Sequence, residues 1–368
     1  MNIGFDAKRY FFNATGLGNY SRDLVNNIAA YYPNNHYFLY TPKAILTDFK
    51  LPANISVYES KATFQNYWRR YGIVQQLLKD NIQIYHGLSN ELPVGIDKTS
   101  IQTVVTIHDV IYKTHPKTYP LIDRNIYDKK VSHACKIANV IVATSESTKR
   151  DILKFYEVDE NKIKVVYQTC NPVFINQTAK SEGVDFELPE KYFLYVGTIN
   201  ERKNLLGVLH AIHQMPKKER IPLIVVGKGG KYHKKCLHFA NSKLMENDVI
   251  WLNHLKAFSQ LKHLYQNAVA LVYPSFYEGF GIPIIESLFC KTPVITSIVS
   301  SLPEAAGGGG LLVNPNIPAE IKNAMQSLLQ NQPLRNELIE KGYEHVTNHF
   351  TPQKISESIM NIYRSLSC

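Results

Sequence analysis

The stretch Tyr273-Pro274-Ser275-Phe276-Tyr277-Glu278-Gly279-Phe280-Gly281-Ile282-Pro283-Ile284-Ile285-Glu286 closes an unbroken apolar run, residues 269–273. A short apolar run stopped by turn residues reads as a strand buried on both faces of a parallel sheet. Gly279, Gly281 and Pro283 forbid a smooth continuation. Pro283 suits the first position of a new helix, where its missing N–H is no loss. This reading puts Glu278 in the loop and Glu286 on the first helical turn. The N–H groups of Ile282, Ile284 and Ile285 then lack intrahelical partners. A strand, a glycine loop and a bare helix N-terminus make an anion site, here with a carboxylate on each side.

Outward from that point, the chain alternates strand-like and helix-like segments. In the first half, strands are predicted at residues 2–6, 37–40, 55–58, 82–85, 103–107, 139–144 and 164–167. In the second half they are predicted at 192–196, 223–226, 249–252, 269–273, 294–296 and 311–313. Helices are predicted from Gly16 to about Tyr31, over 64–79 with Tyr67, Tyr71, Val74 and Leu78 at helical spacing, from beyond Pro120 to Ala138, and over 351–366. Ser145 opens a further helix with Glu146 in its first turn. Such alternation means two doubly wound parallel α/β domains, with ligands at the carboxyl ends of the strands. Residues 168–190 lose periodicity and read as the interdomain linker.

The 368 residues are too many for one ordinary core. Hydrophobic content of 45% with 20% charged residues describes a folded chain, and no run is long enough to span a bilayer. The N-terminus lacks the basic and apolar regions of a signal peptide. Cys135, Cys170, Cys236, Cys290 and Cys368 have no metal-ligand spacing and read as buried thiols in a reducing compartment. The net charge of +10 sits mainly in residues 1–180, where 22 Lys and Arg face 15 Asp and Glu, a net +7. This excess permits an anionic partner or an acidic membrane surface. No nucleic-acid motif or dense basic stripe with aromatics accompanies it.

Gly197-Thr-Ile-Asn-Glu-Arg-Lys-Asn204 directly follows a buried strand, and its Arg202 and Lys203 suit a diphosphate. Gly16-Leu-Gly-Asn19 lies ten residues beyond the first strand, with Ser21 where a dinucleotide fingerprint wants its third glycine, so an NAD oxidoreductase is disfavoured. His86 and His108-Asp109 end central strands. Gly227-Lys-Gly-Gly-Lys231 fails the P-loop spacing. No His/Cys/carboxylate cluster suggests a metal, and there is no serine nucleophile elbow.

Taken together these residues resemble the retaining glycosyltransferases of family four, with the GT-B fold. Glu278-Gly-Phe-Gly-Ile-Pro-Ile-Ile-Glu286 looks like that family's E-x7-E signature. Gly197-Thr-x-x-x-Arg-Lys-Asn204, Val226-Gly-x-Gly229, Asn253-His-Leu255, Ser301-Leu-Pro-Glu304, Gly16-x-Gly18 and His108-Asp109 match further patterns in order. The resemblance implies two Rossmann-like domains facing across a cleft: residues 1–175 on the acceptor side, 186–350 holding the nucleotide sugar, and a helix in 351–368 crossing back to the first. Glu286 is expected to bind the ribose hydroxyls and Glu278 to contact the donor sugar. Arg202 and Lys203 would neutralise the diphosphate, with backbone from Gly281 and Ile282 added. Leu255 would face the base, Gly16 and Gly18 the phosphates, and His108 the transferred sugar or acceptor. Many relatives carry Arg where this chain has Thr198, so Arg202 or Lys203 inherits that charge.

The implied activity is a metal-independent retaining hexosyltransferase, with GDP-mannose or a UDP-hexose as donor and a glycan or lipid-linked glycan as acceptor, in surface polysaccharide synthesis. No cofactor is implied beyond the nucleotide-sugar co-substrate. The expected setting is cytoplasmic, and the positive excess of the first half, with Trp68-Arg-Arg-Tyr71 on a helical stretch, permits peripheral contact with the inner face of a membrane that carries a lipid-linked acceptor. Two other readings remain open: a GT-B nucleotide-sugar epimerase that needs no acceptor, and a non-catalytic nucleotide-sugar-binding protein. The intact Glu278, Glu286, Arg202 and Lys203 argue against the last.

Overall fold

The computed structural model describes residues 1–13, 16–43, 51–178, 180–253 and 255–367; His254 and Cys368 lie outside them. Two compact units are present, Met1–Thr169 with Thr351–Cys368, and Cys170–Phe350.

The first unit is built on seven parallel strands: β1 (Asn2–Asp6), β2 (His36–Thr41), β3 (Ile55–Glu59), β4 (Ile84–Gly87), β5 (Gln102–Ile107), β6 (Val140–Ala143) and β7 (Ile163–Val165). Their spatial order is β3-β2-β1-β4-β5-β6-β7. Successive side chains leave opposite faces of a strand. Val104 and Val142 therefore join one core, with Val25 and Ile28 of the Gly16–Tyr31 helix and Ile359 and Tyr363 of the Pro352–Leu366 helix. Their neighbours Val105 and Ile141 join the opposite core, with Leu77 and with Ala134 of the Leu121–Ile137 helix. Strand order reverses between β1 and β4, so the carboxyl ends Asp6 and Gly87 flank the crevice where such sheets bind ligands.

The second unit has six parallel strands: β8 (Phe193–Val196), β9 (Leu223–Val226), β10 (Val249–Leu252), β11 (Ala270–Tyr273), β12 (Val294–Ser297) and β13 (Gly310–Val313). They run in the order β10-β9-β8-β11-β12-β13. The reversal here falls between β8 and β11, whose carboxyl ends lead into the Gly197 and Glu278 loops.

Two expectations need correction. The segment over 168–190 is not linker throughout: Pro172–Ile175 is a helical turn whose buried Phe174 packs edge-on against Phe258 and Tyr265, each at about 6 Å. The aromatic contacts tie residues from Cys170 onward into the second unit. The 64–79 segment is not one regular helix either. It runs Gln65–Tyr67, then a π-helical Trp68–Gly72, then Ile73–Lys79. A π turn shifts the face that later residues present. Val74 is buried, whereas Tyr67, Tyr71 and Leu78 are exposed. The turn brings Arg69 onto the buried Asp6, Nε to Oδ1 at 3.0 Å and to Oδ2 at 2.8 Å. A buried carboxylate without such a partner is costly.

Candidate active site

The geometry at the end of β11 starts with Gly281, which caps the Ile282–Phe289 helix at φ +118°, a conformation reserved in practice for glycine. With that cap the helix begins one residue earlier than predicted. Pro283 is its second residue and Glu286 lies in its second turn. The Ile284 N–H donates to the Gly281 carbonyl at 2.9 Å, so that amide is not available to an anion. Ile282, at the first helical position, keeps the amide that no intrahelical carbonyl can meet.

Glu278 is buried in the preceding loop. Its Oε1 accepts from Tyr273 Oη and Ser275 Oγ, both at 2.9 Å, and from Lys203 Nζ at 3.0 Å. Its Oε2 meets Arg202 Nη1 at 2.6 Å. Arg202 also donates to the Tyr277 carbonyl and Lys203 to the Tyr273 hydroxyl. Ser300 and Ser301 pin the loop. Ser300 Oγ accepts from the Glu278 N–H at 3.1 Å, and Ser301 Oγ donates to the carbonyls of Glu278 and Phe280 at 2.9 Å. The Ser301-Leu-Pro-Glu304 motif thus opens with a residue that shapes the site without lining it.

The two cations reach Glu278 from β8. Asn200 Oδ1 caps the single turn Glu201–Lys203 by accepting from the Lys203 N–H at 3.2 Å. Asn204, at φ +55°, donates its side-chain amide to the carbonyls of Pro274 at 3.2 Å and Pro315 at 2.7 Å. The Phe276 N–H donates to the Arg202 carbonyl at 2.8 Å, closing one loop onto the other. The β9 loop lies alongside. A Cβ on Gly227 would stand 2.0 Å from the Gly197 carbonyl oxygen, and one on Gly229 would stand 2.3 Å from that of Ile199. These glycines are needed for loop-on-loop packing whether or not a phosphate is near.

Burial alone would raise the Glu278 carboxyl, but Lys203 and Arg202 outweigh it and hold the group down at about 2. It is a carboxylate at any working pH. Burial, against the pull of Glu278, lowers the Lys203 ammonium. The cluster therefore sets two cations directly against one carboxylate. The Oε2 of Glu286 accepts from the buried Tyr265 hydroxyl at 2.9 Å, and its charge acts on Lys203 in the same direction as that of Glu278. Ser275 is among the residues that the sequence places at the carboxyl ends of the strands, where ligands bind, whereas Tyr273 reads there only as the last residue of the apolar run. Tyr265 carried no local signal at all. Leu255 is half-buried in the segment after β10.

In the first unit, His108 follows β5 and is buried. Its Nε2 lies 2.9 Å from the Leu88 carbonyl and its Nδ1 lies 3.1 Å from Gln168 Nε2. Those partners assign the proton to Nε2, with Nδ1 accepting. Burial, against the Leu88 hydrogen bond, lowers the imidazole to about 4. Both nitrogens serve the fold, which leaves the ring's edge and its neutral polarity to offer a ligand. His108 lines a pocket of about 160 Å³ with Arg9, Asn90, Asp109, Tyr112, Tyr119 and Tyr127. His86 is structural in its contacts, bridging Tyr363 Oη at 2.6 Å and Thr106 Oγ1 at 2.8 Å. Gly16 begins a helix with open space where a Cβ would point. Gly18 does not: a Cβ there would lie 1.7 Å from the Asn13 carbonyl oxygen, so the unit's own backbone accounts for that glycine. Among the described residues no cluster of three or more His, Cys, Asp or Glu could hold a metal.

Comparison with known proteins agrees with this architecture. Residues 176–345 match the family model "Glycosyl transferases group 1", and residues 20–172 match "Glycosyltransferase Family 4". The chain is 27% identical to O-antigen chain mannosyltransferase B of Escherichia coli, with all of both chains covered. It is 31% identical to O-antigen chain mannosyltransferase RfbU of Salmonella typhimurium over 61% of this chain and 60% of that one. Among solved structures, sucrose-phosphate synthase from Thermosynechococcus elongatus superposes with a TM-score of 0.76 at 20% identity, covering 100% of this chain and 99% of that one. Anabaena HepE, solved in complex with UDP-glucose, superposes at 0.70 and 15% identity, covering 99% of this chain and 100% of that one. These structural likenesses are of fold, two parallel-sheet α/β domains of the GT-B class.

Proposed function

The chain belongs to the group 1, family 4 glycosyltransferases, and on that premise we propose that it transfers mannose from GDP-mannose, with retention, to a growing surface glycan. The observation that carries the reading is the Arg202–Lys203–Glu278 cluster at the β8/β11 switch point, beside the Gly281 cap. A departing nucleoside diphosphate gains negative charge as the glycosidic bond breaks, and preorganised cations in a water-poor site stabilise that charge best. Glu278 holds the two cations in place before the donor arrives and contacts the donor sugar afterwards. The Gly281–Ile282 backbone adds a donor group, Glu286 takes the ribose hydroxyls and Leu255 faces the base. No metal and no cofactor beyond the nucleotide sugar is required by this scheme. The names of the O-antigen relatives favour mannose over the other hexoses.

For the first unit we propose the acceptor. The tyrosines, amide and carboxylate around His108 form the mixed aromatic and polar lining that suits a saccharide. A neutral His108 orients sugar hydroxyls there without taking a proton, and Gly16 presents backbone to phosphate. The protein works on the cytoplasmic side, in peripheral contact with an anionic membrane surface that carries a lipid-linked acceptor. No helix among the described residues is long and apolar enough to cross a membrane.

The test is a thermal-shift screen of GDP-mannose, UDP-glucose, UDP-galactose and the free nucleotides, followed by transfer to a lipid-linked oligosaccharide with the new anomeric bond read by NMR. Stabilisation by GDP-mannose and an axial product linkage are expected. An inverted linkage would end the retaining assignment. Release of free nucleotide with an epimerised sugar, and no need for acceptor, would favour the epimerase instead.

A further inference from the structure

The pocket around His108 holds a charge that the fold does not use. Its charged lining residues are Arg9, Glu91, Asp109 and Lys130. Glu91 is committed twice, through Oε1 to Lys130 Nζ at 2.7 Å and through Oε2 to Arg69 Nη1 at 3.0 Å. Arg69 is in turn the partner of the buried Asp6. Asp109 Oδ1 accepts from the Ile111 N–H at 3.1 Å and so serves the turn that follows β5. The Arg9 side chain has no ion-pair or hydrogen-bond partner among the described residues. With Lys8, which feels both Asp6 and Glu91, this wall sets four cations (Lys8, Arg9, Arg69, Lys130) against three carboxylates (Asp6, Glu91, Asp109).

Arg9 is also preorganised. It belongs to the short helix Lys8–Phe12, whose Tyr10 is fully buried and donates its hydroxyl to Asn26 Oδ1 at 2.9 Å. Arg22 Nη1 donates to the carbonyls of Tyr10 at 2.7 Å and Asn13 at 2.9 Å. The backbone under Arg9 is therefore fixed, while its half-buried guanidinium keeps its N–H donors for a ligand. Burial chiefly, and the Arg9 charge in addition, keep the His108 ring neutral, so the ring adds no charge of its own. The rest of the lining suits a sugar ring. Asn90 takes φ +60°, with its N–H donating to the Thr106 carbonyl at 2.9 Å and its Oδ1 accepting from the His108 N–H at 3.0 Å. With that oxygen engaged, its Nδ2 is the group left to meet a hydroxyl. Tyr127 is 38% exposed and has the Tyr112 and Tyr119 rings beside it, each at 5.9 Å, one tilted and one edge-on. Such an aromatic corner gives the C–H face of a sugar an apolar platform.

We infer that the His108 pocket takes an acceptor saccharide bearing an anionic group, a carboxylate or a phosphate, on or beside the ring that packs on Tyr127, and that Arg9 pairs with that group. The planar guanidinium fork matches either anion with two parallel hydrogen bonds. A neutral glycan would cover the Arg9 charge without compensating it, and a half-buried cation that loses water and gains no partner is costly. Arg9 is thus a specificity-determining residue. The inference rests on the acceptor reading proposed above and narrows it to a substrate class, and its first assay involves no sugar transfer.

The test is calorimetric titration of the full chain with methyl glucuronoside, glucose 1-phosphate and the neutral methyl glucoside. The wild type is expected to bind at least one anionic sugar more tightly than the neutral one, and to lose that preference as salt is added. Preference for the glucuronoside assigns the group as a carboxylate, and preference for the phosphate assigns it as a phosphate ester. Arg9→Gln should weaken the preferred anion about tenfold to a hundredfold, the scale of a lost hydrogen bond to a charged group, and Arg9→Lys should recover part of that loss. Tyr127→Ala should weaken charged and neutral sugars by the same factor. The melting temperature of Arg9→Gln should hold, because the side chain has no partner among the described residues. In transfer, the Arg9→Gln loss should appear in KM for an acceptor carrying the preferred group. No binding by the wild type, equal binding of charged and neutral sugars, or wild-type binding by Tyr127→Ala overturns the inference. So does anion binding that survives Arg9→Gln, as binding at Arg202 and Lys203 would. Arg9-dependent anion binding in a chain that transfers no sugar would leave the subsite standing and remove the transferase reading alone.

Discussion

Glu278→Gln keeps the shape of the side chain and removes its charge. Tyr273 and Ser275 can still donate to the amide oxygen, so the substitution isolates what the carboxylate does for Arg202 and Lys203. Holding this carboxyl at about 2 instead of the ordinary 4.5 corresponds to about 3 kcal/mol of stability at neutral pH. Removing one member of a buried ion pair costs about 3–5 kcal/mol in general, because the partner charge is left uncompensated. The two figures agree, and the small residual exposure of the pair, 17% for Arg202 and 12% for Lys203, leaves little solvent screening. For a domain of this size, about 3 kcal/mol lowers the melting temperature by roughly 6–12 °C. On the function proposed above, a nucleoside diphosphate supplies the missing negative charge. GDP or UDP should therefore raise the melting temperature of the variant by more than it raises that of the wild type. The assay is differential scanning fluorimetry on both proteins, with and without nucleotide. Adding Lys203→Met to Glu278→Gln should recover about 1–3 kcal/mol relative to the sum of the single losses. An unchanged melting temperature in Glu278→Gln, or nucleotide stabilisation no larger than in the wild type, would refute the view that Glu278 is the standing counterion of the diphosphate cations.

Arg202→Ala and Lys203→Ala should each lower turnover by one or more orders of magnitude, about 10²–10³ for a lost electrostatic stabiliser; steady-state rates near wild type in both would sink the diphosphate assignment. Gly227→Ala puts a Cβ 2.0 Å from the Gly197 carbonyl and should destabilise the second unit by about 1–3 kcal/mol, read as a lower denaturant midpoint. Gly16→Ala meets no atom within 4 Å, so stability should hold and a rise in KM alone would report a ligand at that helix start. Acid should loosen the first unit before the second. Burial, with His108 nearby, holds His86 near 3, and burial holds His108 near 4, both below the ordinary 6.5. Their contribution is complete above about pH 6.5 and is lost as pH falls through those values, whereas that of Glu278 is lost only between about 4.5 and 2. Trp68 lies in the first unit and Trp251 in the second, so single-tryptophan variants followed by fluorescence resolve the order. Earlier loss of the Trp251 signal would contradict it.

Among the described residues, strands such as β8, β9 and β11 were legible because a strand buried on both faces must be apolar throughout, and that requirement is local; β3, β7, β10 and β13 are partly exposed and were legible only as short apolar runs between turns. The same holds for the loop-to-helix junction at Gly281, where a positive φ and a nearby proline leave few alternatives. Glu278, Arg202 and Lys203 were legible as residue types suited to the work. That they bind one another was not: the contact spans 75 positions and exists because β8 and β11 are neighbours at the point where strand order reverses. Tyr265 on Glu286 and Phe174 between two aromatic rings are pairings of the same kind. The 64–79 segment shows the limit most directly. Its spacing favoured one regular helix, yet the need to neutralise buried Asp6 brought Arg69 inward through a π turn and left Tyr67 and Tyr71 in water. Local pattern sets which segments can be strand or helix. Which charges and rings then meet depends on how far apart in the chain the closing sheet draws them together, and no window of sequence contains that distance.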